Sequence, residues 1–168
     1  MIAAVKTYLR GKLTAAGVPS ARIADDPAQG EWPPPQTPYA EVVLEPERLE
    51  RVNRLSAREY NAVTKQATEW KRLVRRTLPV RIRLVHQDEA RLDALLTAFL
   101  AQLDAGFRDG SQTVTVAPEQ AAWGGWQDKR PADREQVTVR ITFTGAVYSS
   151  TAPGGTVQQV KVPTTNMV

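Results

Sequence analysis

Residues 78 to 103, LPVRIRLVHQDEARLDALLTAFLAQL, change their hydrophobic period halfway along. Val80, Ile82 and Leu84 alternate with Arg81, Arg83 and Val85, the period of a strand with one face buried and one face wet. From Leu92 onward the spacing is helical: Leu92, Leu95, Leu96, Phe99, Leu100 and Leu103 fall at i, i+3, i+4, i+7, i+8 and i+11. Asp88 stands where the helix needs an N-cap, and its carboxylate can accept a bond from an otherwise orphan amide. A strand that hands over to a helix so abruptly forces that helix back onto the sheet. Any fold available to this chain therefore has helix packed on sheet.

The rest of the chain is consistent with that frame. Residues 2 to 16 read as an amphipathic helix through Ile2, Val5, Leu9, Leu13 and Ala16, stopped by Gly17 and Pro19. A stiff loop carrying Pro33, Pro34 and Pro35 leads into the strand Tyr39 to Leu44, which Pro46 ends. Residues 47 to 66 fit a charged helix, with Leu49, Val52 and Leu55 three apart, or one arm of a long hairpin. Strand or loop is favoured for 47 to 56. Trp70 to Val85 reads as one strand, or as two broken near Thr77. Thr113 to Ala117 is a short strand and Val137 to Tyr148 a long one, with Val137, Val139, Ile141 and Phe143 on one face. Between them, PEQAAWGGWQDKRPADRE reads as a polar loop. The tail SSTAPGGTVQQVKVPTTNMV is small and polar with a strand-like VQQVKV; it has too little apolar surface to hold itself down and reads as an arm that orders on assembly. The expected architecture is α+β. A mostly antiparallel sheet carries two main helices on one face, in a single domain over residues 1 to 148, with an extended C-terminal arm over 149 to 168.

The chain of 168 residues, 42% hydrophobic and 24% charged, is long enough for one real core. Cysteine is absent, so there is no disulfide framework, thiolate metal site or cysteine nucleophile. A single histidine cannot build a multi-histidine metal site. No apolar run reaches bilayer length, and no membrane association is expected. The nearest approach to a catalytic cluster is His86 with Asp88 and Glu89. Strand end, helix cap and helix first turn account for these three without chemistry. No nucleophile elbow, phosphate loop or zinc-protease sequence occurs. The paired glycines Gly124-Gly125 and Gly154-Gly155 lack the lysine and strand–turn–helix setting of a phosphate loop, and read as flexible turns. No catalytic residue, metal ligand or cofactor site is expected, and the chain reads as a non-enzyme.

What remains is surface. Lys and Arg outnumber Asp and Glu by 22 to 18, giving a formal charge of +4. Arg72, Arg75, Arg76, Arg81 and Arg83 form a dense basic stretch on β structure. They can make salt bridges between subunits, cover the open face of the sheet, or face the backbone of a nucleic acid. Trp123 and Trp126 sit in a hydrophilic segment, where aromatic side chains serve as interface anchors or as a lid on their own core.

The order of elements resembles that of the bacteriophage tail terminator (tail-completion) proteins of the head–tail neck. The resemblance is carried by the opening MIAAVKTYLRGKLTAAG, the strand PYAEVVL, the run LPVRIRLVHQDEARLDALLTAFLAQL and the late strand VTVRITFTGAVY. It is a likeness of element order and not of a diagnostic motif. It implies an α+β structural protein of the virion, assembled in the host cytoplasm, that forms a ring, typically a hexamer, at the tail–neck junction. One face of the ring would hold the tail tube or sheath protein and the other a neck or connector protein. Genomic DNA would pass through the lumen without sequence-specific binding. The family carries no catalytic residues. The triple-proline loop and long polar tail depart from its pattern. A nucleic-acid-binding module using the arginine-rich β face is the alternative.

Overall fold

Helix α1 (Ile2–Ala15) buries Val5, Leu9 and Leu13, the stripe expected from their spacing. Its end is set by Gly17, whose φ of +110 is a left-handed conformation that side chains resist. The Gly17 amide donates to the Thr14 carbonyl and the Val18 amide reaches back to Leu13, a paired closure that satisfies two orphan carbonyls. Val18 and Leu13 are both fully buried, so the cap is also a core contact. A 3-10 turn (Ser20–Arg22) then leads into the short strand β1 (Ile23–Asp25).

The computed structural model describes residues 1–27, 36–61, 66–110, 112–124, 134–151 and 157–161, without the side chains of 55–61, 66–67, 150–151 and 157–161. The triple-proline loop, Trp126, Gly125 and Gly154-Gly155 lie outside it. After β1 come β2 (Tyr39–Leu44), β3 (Arg48–Asn61), β4 (Gln66–His86), α2 (Glu89–Gln102), β5 (Gly106–Asp109), β6 (Gln112–Trp123), β7 (Glu135–Thr151) and β8 (Val157–Lys161). They form one sheet in the order β1-β2-β4-β7-β6-β5, with β3 added to β4 and β8 to β7. Only β1 and β2 pair in parallel. The fold is α+β, as the sequence implies.

Strand β4 organises the sheet. It is 21 residues long and keeps β7 along one edge, from Glu69↔Thr151 to His86↔Glu135. Along its other edge lie two strands in succession: β2 against 80–85 and β3 against 66–77. The sheet therefore has two tiers. The lower tier supplies the core: Ala40 and Val42, Leu78 to Leu84, Val114 and Val116, and Val137 to Phe143 on alternate positions, under both helices. The described side chains of the upper tier, the distal half of the β3–β4 hairpin with the end of β7, contribute nothing to that core.

Helix α2 starts as expected. Asp88 Oδ1 accepts from the Arg91 amide at 2.9 Å, and Leu92, Leu95, Leu96 and Phe99 are buried. Leu100 and Ile2, grouped with the apolar stripes in sequence, are instead exposed at their edges. Tyr8 stacks on Phe107 with centroids 4.5 Å apart, and Phe143 meets both rings edge-on, which joins α1, β5 and β7.

Some readings hold and others change. Residues 48 to 56 are strand, part of β3, as favoured, with Glu47 just before it; the three-residue apolar spacing runs into register shifts between Arg51 and Arg54 and between Leu55 and Ala57. Asn53 has a φ of 41 within the first of these. The run from Trp70 to Val85 is one strand, unbroken at Thr77. Residues 118 to 123 are strand and not loop: β6 continues through Pro118 to Trp123. Proline is tolerated there because the register shifts between Pro118 and Gln120, where a missing ladder donor costs little. Strand β7 runs past Tyr148 to Thr151, and Val157–Lys161 folds back on it as β8.

Candidate interaction surface

The alternation in β4 sends Arg81 and Arg83 to the face away from the helices, where neighbouring strands bring carboxylates. Glu41 lies directly opposite Arg83 in the ladder and ion-pairs with it; both side chains are largely buried. Arg81 and Arg140 are direct cross-strand partners, a like-charge juxtaposition that is unfavourable on its own. Glu45 resolves it: Oε1 accepts from Arg81 and Oε2 from Arg140, each at 2.9 Å. Glu119 closes the far side with a contact to Arg140 and a bond accepted from the Thr142 hydroxyl. Higher on β4, Arg76 meets Glu47 through two parallel bonds of 2.8 and 2.9 Å, and Arg75 meets Glu50 at 3.1 Å. Arg72 lies 5.6 Å from the centre of the Tyr148 ring and donates to its hydroxyl.

Thus Arg75, Arg76, Arg81 and Arg83 are held by carboxylates of their own chain, and Arg72 by an aromatic ring. They hold the sheet together before they meet anything else. The sequence brought Arg72 to Arg83 to notice because they are dense. The structure shows that their counter-charges, Glu41, Glu45, Glu47 and Glu50, lie far off in sequence on β2, β3 and the link between them.

Trp123 is the last residue of β6, opposite Val137 and 45% exposed. It does not form a lid on the core.

The cluster at the junction of β4 and α2 is structural. His86 Nδ1 accepts from the Gln87 amide at 2.8 Å, and Asp88 is the helix cap. Burial pushes the His86 pKa down, and the Arg91 guanidinium adds to this against the opposing pull of Asp88. Among the described residues no group of three His, Cys, Asp or Glu side chains is placed to hold a metal ion, and no helix is long and apolar enough to cross a membrane.

Among the described residues, exposed charges without an ion pair lie elsewhere. Arg48, Arg51 and Arg54 stand exposed on β3, because the acids in that segment, Glu47 and Glu50, are held by Arg76 and Arg75. Strand β3 pairs with β4 alone among the described strands, so its outer edge is open along its 14 residues. Sequence reasoning passed over these arginines because the segment had no clear period; their i, i+3 recurrence was the available signal. No family model and no curated protein matches the chain.

Proposed function

We propose that this chain is a structural subunit of a phage tail–neck junction, a tail terminator-like protein that closes into a ring, typically a hexamer. In this reading it caps the tail tube, with tube or sheath protein on one side and a neck or connector protein on the other. DNA passes through the lumen and is not read. The observation that carries the reading is the upper tier. A long β-hairpin stands clear of the helix-covered core and keeps an open edge strand, a layout suited to joining copies and unnecessary for a self-contained monomer.

Light scattering on the purified protein and negative-stain imaging of tails decorated with an antibody against it test this. The expected result is a ring-sized species in solution and label at the head-proximal end of the tail. A protein that stays monomeric at every concentration and is missing from particles overturns the proposal. The nucleic-acid alternative is weaker, since Arg81 and Arg83, the residues on which it rested, are ion-paired within the chain.

A further inference from the structure

Residues with free charge are sorted along β4. Near its distal half, β3 places Arg48 opposite Thr77, Arg51 opposite Val74 and Arg54 opposite Arg72. Lys71 on β4 adds a fourth cation without an ion pair, while Glu69 beside it is engaged elsewhere. At the proximal end of β4, His86 pairs with Glu135 across the ladder, and α2 begins there. Glu89, Asp93 and Glu135 carry no ion pair among the described residues. Among the described residues the cations at this end are engaged: Arg91 lies 3.4 Å from Asp88, and Arg134 has a partner of its own. From Val74 to His86 the strand advances about 40 Å at the usual rise per residue, so the two groups cannot neutralise each other within one chain.

Each end also exposes one large apolar side chain. Leu49, 67% exposed, shares a strand face with Arg51; Trp123 lies opposite Val137, two ladder positions from Glu135. An apolar anchor with charge around it is the anatomy of an interface centre and rim. The two patches differ in place and are opposite in sign. A contact between them is therefore heterologous, the kind that closes into a ring when the rotation permits.

We infer that copies of this chain join head to tail, the arginine-bearing β3 edge of one docking on the acidic α2-start and Trp123 end of the next. The inference rests on the ring reading and names the surfaces that would make the ring. The partner is a second copy because the complementary patch is present on the chain itself.

The test is a charge swap. Arg51→Glu with Arg54→Glu gives one variant, and Glu89→Lys with Asp93→Lys another. All four positions are exposed, so both variants should fold, and circular dichroism checks this. Each variant alone should associate more than about a hundredfold more weakly than the parent by light scattering, because like charges now face each other. Mixed in equal amounts, they restore both contacts and the assembly returns. About 1 M salt, where screening is nearly complete at contact distance, should weaken the parent and, by screening the repulsion, strengthen each variant, so that the gap between them narrows. A parent that assembles while both variants assemble equally well overturns the head-to-tail inference alone. So does a mixture that fails to reassemble. Duplex DNA retained at low salt by the parent, and lost with Arg51→Glu and Arg54→Glu while assembly is untouched, also overturns it and makes the patch a polyanion surface. A parent that is monomeric under all conditions sinks the ring reading itself.

Discussion

Glu45 shows how single residues set the character of the open face. One carboxylate satisfies two arginines that would otherwise repel across the ladder, so the face is tied down and not simply basic. Glu41 neutralises a single arginine, Arg83, under heavier burial. Glu41→Gln takes the carboxylate from a mostly buried guanidinium, and a loss of about 3 kcal/mol or more is expected. Urea unfolding will show it as a lowered midpoint with unchanged slope. Adding Arg83→Gln should recover part of the loss, since the stranded charge goes with it. His86 makes a pH prediction. Its folded-state pKa is depressed, chiefly by burial, so the unfolded chain binds the proton more readily. The stabilising contribution is full above the ordinary value of 6.5 and fades as pH falls through it towards the folded value. His86→Gln should flatten the part of the stability profile just below the ordinary histidine value of 6.5.

At the level of elements, the joint between β4 and α2 depends on its cap. Asp88→Ala removes the acceptor for the Arg91 amide and should cost about 1 kcal/mol, read from thermal or denaturant unfolding. This joint was the most legible part of the sequence, because strand period, cap and helix period follow one another without a gap. Both helices, β2, the lower half of β4 and the face of β7 carrying Val137 to Phe143 were readable for the same reason: one face of each meets the core. Elements without a core face were not. Strand β3 has no buried side chain among its described residues, and its register shifts erase the period of two. The second half of β6, PEQAAW, looks like loop from composition and is strand only because β7 offers an edge to pair with. Strands β1 and β5 are too short to leave a pattern. On the candidate surface, Trp123 was visible as a tryptophan in polar company. The free status of Arg48, Arg51 and Arg54 was not, since it depends on which distant arginines hold Glu47 and Glu50.

The whole molecule has a covered half and an uncovered half built on the same two long strands. Amides of Val80 to Val85 in β4 lie between β2 and β7 under both helices and should be among the slowest to exchange with deuterium. Those of Arg48 to Arg54 that point to the open side of β3 should exchange orders of magnitude faster. Assembly of the kind proposed would slow the second group and leave the first unchanged, which a mass-resolved exchange experiment can read. The placement of β4 also governs when folding can finish. Arg81 must find Arg140 and Ile82 must find Val139, so the strand at the centre of the sheet waits for the last third of the chain to leave the ribosome. Until then a long, arginine-studded strand has β2 and β3 on one side and bare backbone on the other. The growing polypeptide thus carries its most adhesive edge through much of its own synthesis, until β7 arrives to cover it.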